Sequence, residues 1–166
     1  FFRARFYIDK VNMYNDVPWY GHTLNTADIE PLHKKQDSRA LVVDSIMADL
    51  EFAAAHIKPD GHKSTVTKWA ALAQLAQFAL QEGTYRKYHT YLGLAASSKK
   101  FLERAVSASE KIINEGGFQI SKAGGVDRAY RDLFISQNLQ ANPETIMFID
   151  YDKDLNMRRN THTVLD

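Results

Sequence analysis

Apolar residues recur along much of this chain at spacings of three and four, the pattern of helices that bury one face. From Phe1 to about Asn15, Ala4, Ile8 and Val11 share a face. Phe2, Phe6 and Met13 widen the apolar stripe toward the neighbouring side, so this helix is expected to pack on two sides. It should stop near Asn15, because Pro18 disfavours helical geometry at Val17 and Asn tolerates the left-handed conformation common at helix ends. A loop of roughly 20 residues follows, carrying Pro18, Gly21 and Pro31; it exceeds ordinary connections and is expected to be functional or packed on a partner.

The next helix, about Ser38 to Ile57, places Val43, Ile46, Met47, Leu50, Ala53, Ala54 and Ile57 on one buried face, with Asp37 and Ser38 at its start. Pro59, Asp60 and Gly61 mark a turn. Ser64 or Thr65 is then expected to cap a third helix that runs to about Glu82 and is closed by Gly83. Ala70, Ala73, Ala76 and Ala79 are small enough for neighbours to approach closely, while Trp69, Leu72, Leu75 and Leu80 fill volume, so a helix flanked on both sides is expected. A fourth helix, about Ser97 to Glu115, uses Phe101, Leu102, Ala105, Ala108, Ile112 and Ile113 and stops at Gly116 and Gly117. After a turn at Gly124 and Gly125, a short helix around Tyr130 to Ile135 precedes Pro143 and the apolar run Ile146 to Ile149, which reads as a short strand. The predicted fold class is therefore mainly α, built of helical hairpins, with a short strand near the C-terminus.

Composition narrows the function classes. With 166 residues and 45% hydrophobic content, the chain can bury one sizeable core, and one helical unit over residues 1–166 is the default. The 21 basic and 20 acidic side chains nearly cancel, giving no reason to expect nucleic acid as partner. The absence of cysteine removes disulfides, thiolate metal sites and cysteine nucleophiles from this stretch. No apolar run approaches the roughly 20 residues needed to span a bilayer. The first residues already read as helix interior, so the chain is expected to be an internal fragment of a larger polypeptide, any signal peptide or lipid anchor lying outside it.

Helical hairpins with small residues at the crossings look like tetratricopeptide-type repeats, an α–α superhelix, although the spacing is too irregular for an ordinary array. An ordered string of local motifs resembles the SusD/RagB family. It comprises Arg3 and Ala4 in the first helix; Asp16, Val17 and Pro18, like the family's Gly-Asp-Val-Pro turn; and Ser38, Arg39, Ile46, Asp49 and Leu50. It continues with Thr67, Lys68, Ala70 and Ala71, then Gly83 and Thr84, then Ile112 to Phe118. Tyr130, Leu133, Phe134, Asn142, Glu144, Ile146 and Phe148 complete it. Asn15, where the family favours glycine, His62 with Lys63, where a Gly-Arg pair is common, and Gln77 depart from the pattern. The resemblance implies a non-enzymatic surface lipoprotein of the outer membrane that captures an oligosaccharide or similar nutrient. It would pass that nutrient to a SusC-like TonB-dependent transporter. The alternative is a tetratricopeptide-like interaction scaffold that recognises a peptide or protein and no sugar.

Sugar recognition needs aromatic faces against pyranose C–H patches, with polar groups for the hydroxyls. Trp19, Tyr20 and His22 are the glycan-binding candidates by composition, although packing of Trp19 onto the helices is the plainer reading. Tyr85, Tyr88, His89 and Tyr91 form a second aromatic cluster, again more simply read as packing. Asp150, Asp152 and Asp154 imitate the start of a calcium loop, but Leu155 replaces the turn glycine and Thr161 stands where the bidentate Glu belongs, so no metal is expected. The histidines at 22, 33, 56, 62, 89 and 162 lack zinc-site spacing. No nucleophile elbow, phosphate-cradling loop or selected carboxylate pair is present, so neither an enzyme nor a cofactor is expected.

Overall fold

A computed structural model describes residues 1–136 and 138–151. These residues form six helices: α1 (Phe2–Tyr14), α2 (Ile29–Leu32), α3 (Arg39–His56), α4 (Lys68–Tyr88), α5 (Ser98–Glu115) and α6 (Ala129–Ile135). Cross-links set the directions of the four long ones. Arg3 meets Asp49, and the Arg39 amide meets Asp16, so α1 and α3 run antiparallel. Arg39 reaches Glu82 and the Lys68 amide reaches the Lys58 carbonyl, so α4 reverses α3; Lys68 pairs with Glu115, so α5 reverses α4. Helix α4 packs against both α3 and α5, as its alanines predict.

The core is one cluster. Ala4, Tyr7, Ile8 and Val11 of α1 meet Val42, Val43, Ile46 and Leu50 of α3, and Leu72, Leu75, Phe78 and Ala79 of α4 continue into Phe101, Ala105 and Ala108 of α5. Alanine at the crossings lets the backbones approach while leucine, valine and phenylalanine fill the space between them.

The predicted ends of α1 and α3 agree with the structure. Asn15 adopts φ 64° and its amide donates to the Val11 carbonyl at 3.1 Å, and the Ser38 hydroxyl accepts the Leu41 amide. Helix α4 departs from expectation at both ends. Thr65 closes a turn on the His62 carbonyl, so Thr67 is the cap, its buried hydroxyl accepting the Ala70 amide. Thr67→Ala should cost about 1 kcal/mol, the usual value of such a cap, read as a fall in melting temperature of a few degrees. Gly83 does not end the helix; α4 continues through it to Tyr88 because glycine stops a helix only where the chain turns out of helical geometry.

Five apolar side chains and one segment also differ from expectation. Leu80 and Ile113 lie at the edges of their helices' buried stripes and are exposed, as are Phe2, Phe6 and Met13 on α1. Residues 146–149 form no strand among the described residues: the Phe148 amide donates to the Lys63 carbonyl at 3.0 Å, but no ladder forms around that bond. Short helix α6 follows the turn at Gly124 and Gly125, both at positive φ, as expected. No described helix is long and apolar enough to cross a membrane.

Candidate functional site

The loop between α1 and α3 is anchored along its length. At its ends Val17 and Asp37 form an isolated antiparallel bridge, and Asp16 accepts the Arg39 amide at 2.8 Å. The Tyr7 hydroxyl of α1 accepts the Tyr20 amide at 2.8 Å and donates to the Pro18 carbonyl at 3.2 Å, so one buried side chain closes the Pro-Trp-Tyr turn. Arg3 donates to the Gly21 carbonyl while holding Asp49, which keeps its guanidinium pKa above the ordinary value.

Trp19 is half-buried in this arrangement. Its ring lies 4.3 Å from the Tyr7 ring, the Arg3 guanidinium carbon sits 5.0 Å from its centroid, and the residue packs against the core. Its amide donates to Asp37 at 2.8 Å and its carbonyl accepts from Lys34. Tyr20 is also half-buried, and its hydroxyl donates to the Pro31 carbonyl at 2.7 Å. His22 is exposed. The three candidates therefore share one anchored loop, in which Trp19 and Tyr20 are held and His22 faces solvent.

Asp37 accepts from Lys34 and from the Trp19 amide, and both lower its pKa below the ordinary 3.8. A depressed folded pKa means that the contribution is complete above about 3.8 and disappears as pH falls through the lower folded value. Asp37→Ala should speed exchange of the Trp19 amide several-fold at neutral pH and leave the amides of α3 unchanged. Equal exchange in the two proteins would show that Asp37 does not pin the loop.

Below the loop lies a buried charged network that the pattern of apolar positions did not reveal. Arg39, Glu82 and Arg86 are 4%, 0% and 2% exposed. Glu82 accepts from Arg39 Nη2 and Arg86 Nε, each at 2.7 Å. Arg39 Nη1 also donates to the Val11 carbonyl, and Arg86 Nη1 donates to Ser97. The guanidinium of Arg39 lies over Tyr85 at 4.4 Å and that of Arg86 over Phe101 at 4.3 Å. One carboxylate thereby joins α1, α3, α4 and the start of α5. The only sequence hint was Arg39 within the family motif, since a lone Glu on a helix ordinarily reads as a solvated charge.

The second aromatic cluster divides. Tyr85 belongs to α4, stacks on His89 at 4.2 Å and supports Arg39, whereas Tyr88 and Tyr91 are exposed. Asp150 is exposed, Asp152, Asp154, Leu155, Thr161 and His162 lie outside the described residues, and no group of metal-ligating side chains gathers among the described ones. A groove of about 560 Å³ runs between α3 and α5 over α4, with Leu72, Leu75 and Ala108 in its floor and Glu51, Lys68, Arg104 and Lys111 around it.

No model of a known protein family matches the sequence. A SusD-like protein of Formosa agariphila is 23% identical over 158 residues, which take up 93% of this chain and 25% of that protein. A solved crystal structure superposes with a TM-score of 0.68 at 19% identity, over 90% of this chain and 27% of that one. The chain thus spans about a quarter of the length of the proteins it matches. Along nearly its whole length this chain is thus similar in sequence to a stretch of a SusD-like protein, and it shares its fold with a solved structure.

Proposed function

We propose that the chain is the helical part of a nutrient-binding protein at the outer membrane surface, attached through a lipid anchor outside this stretch. The whole protein captures an oligosaccharide or similar nutrient and delivers it to a SusC-like TonB-dependent transporter, without breaking bonds. The observation that carries this reading is the likeness to a SusD-like protein over 93% of the chain.

Within this stretch the anchored loop supplies the sugar contacts. Its hydrogen bonds to Tyr7, Asp37 and Arg3 fix Trp19 and Tyr20 before any ligand arrives, which lowers the entropic cost of binding. Tyr20 offers ring surface and His22 a hydrogen-bonding group, with Trp19 holding both in place.

Calorimetry of the full-length protein against a panel of oligosaccharides tests this directly. One sugar class should bind, and Tyr20→Ala or His22→Ala should weaken it about tenfold, equivalent to about 1.4 kcal/mol. Wild-type affinity in both variants would remove the loop from the site; no binding across the panel would count against nutrient capture. The groove between α3 and α5 motivates a second reading, an interaction scaffold that takes a peptide along its partly cationic walls. Peptide binding that Arg104→Glu and Lys111→Glu abolish, in a protein that binds no sugar, would favour that scaffold.

A further inference from the structure

A hollow of about 300 Å³ lies where three stretches of chain meet: the connection between α3 and α4, the end of α5 and the segment around Pro143. Two of its walls are aromatic. Trp69 and Phe118 form a corner there, with ring centroids 6.2 Å apart and planes at 84°. The local sequence builds that corner. Thr67 caps α4 and so places Trp69 in the first turn of the helix. At the other wall, Gly116 leaves room for Phe118, since a Cβ there would lie 2.7 Å from the Phe118 ring, and Gly117 turns the chain at φ 68°. Tertiary hydrogen bonds fix the third side. The Lys63 amide donates to the Gln140 side chain at 2.8 Å, the Lys63 ammonium donates to the Asn142 carbonyl at 2.6 Å, and the Gln119 amide donates to the Pro143 carbonyl at 3.1 Å.

Three polar groups on the hollow keep hydrogen-bonding capacity that the described residues do not use. Thr67 is 5% exposed; its oxygen accepts the Ala70 amide, and its proton has no acceptor among the described residues. The Trp69 indole N–H and the Asp60 carboxylate, which also line the hollow, have no hydrogen-bond partner among those residues either. The charged lining is one carboxylate, Asp60, and one ammonium, that of Lys63, which suits a neutral ligand. A volume of this size is at the small end of ligand clefts. Aromatic faces in a corner complement the C–H patches of a pyranose, and a carboxylate, a hydroxyl and an indole N–H can bond its hydroxyls.

We propose that this hollow is a second carbohydrate site, separate from the loop between α1 and α3, which takes one neutral pyranose unit against Trp69 and Phe118 while Asp60 and Thr67 bond its hydroxyls. The choice of sugar as ligand rests on the nutrient-binding reading; the site itself does not depend on the loop.

Fluorine spectra of the full-length protein labelled with fluorotryptophan test it, the Trp69 signal being assigned by its loss in Trp69→Phe. The probes are the methyl glycosides of glucose, galactose, mannose and xylose, each added to about 50 mM, because a single ring held in such a corner should bind in the millimolar range. One of them should shift the Trp69 signal saturably. Asp60 is exposed, so Asp60→Asn should leave the fold intact, and it should raise the Kd about tenfold by removing a charged acceptor. Tyr20→Ala should leave that Kd unchanged. A Trp69 signal that no glycoside moves, in protein that binds oligosaccharide through Tyr20 and His22, overturns the second site and leaves nutrient capture standing. Shifts undiminished in Asp60→Asn also overturn it. Saturable binding at Trp69, in protein whose sugar affinity ignores Tyr20→Ala and His22→Ala, upholds the second site while the loop fails.

Discussion

Replacing Glu82 with alanine should destabilise the protein by about 3–5 kcal/mol, because it leaves two guanidinium groups buried without their shared carboxylate. Arg39 would keep the Val11 carbonyl and the Tyr85 ring, and Arg86 would keep Ser97 and the Phe101 ring, but none of these carries a negative charge. At two to four degrees per kcal/mol for a domain of this size, the melting temperature should fall by about ten degrees. A change within about two degrees would show that water or neighbouring chain replaces the carboxylate. Replacing all three residues by apolar side chains of similar volume should cost much less than Glu82→Ala, since the loss comes from stranding cations and not from the intrinsic worth of the pairs.

Gly83→Ala is expected to lower stability by about 1–3 kcal/mol, the cost of overpacking. A Cβ at Gly83 would lie 2.7 Å from Leu102 Cδ2 and 3.2 Å from the Leu102 backbone nitrogen. The sign is the informative part, because alanine in place of a mid-helix glycine would otherwise add about 1 kcal/mol. Shortening the opposing residue should relieve the clash: Gly83→Ala combined with Leu102→Ala should be less destabilising than the sum of the two single changes. Melting curves of the four proteins measure that coupling. A stabilising Gly83→Ala would mean that α5 can shift away at no cost and that the crossing is looser than the distances indicate.

The consequences reach the candidate site. Arg39 donates its side chain to Glu82 and its backbone amide to Asp16, so the buried network and the loop share one residue. A variant that loosens Glu82 should therefore also disturb the start of the loop that carries Trp19, Tyr20 and His22. Asp37→Ala acts on the loop alone, which separates ligand effects from loss of fold.

Features that depend on neighbours along the chain were legible from the order of residues alone. Three-and-four spacing located the four long helices, Asn15 and Ser38 marked real helix ends, and the order of motifs from Arg3 to Phe148 carried the likeness to SusD-like proteins. Those signals are legible because helix periodicity, capping and turn chemistry act over a few residues. Where a local signal had two meanings, only the tertiary structure chose between them. Gly83 read as a helix stop until Leu102 of another helix explained its missing side chain, and Thr65 read as a cap until the turn on His62 moved the cap to Thr67. Residues 146–149 had the composition of a strand, but a ladder needs a second strand beside it. Trp19 and Tyr20 had the composition of a sugar platform, and the packing of Tyr7, Arg3 and Pro31 decided how much of each remains held by the fold. Glu82 and Arg86 showed nothing to mark them as buried, because an ion pair between helices depends on residues far apart in the chain that meet only once the helices have packed.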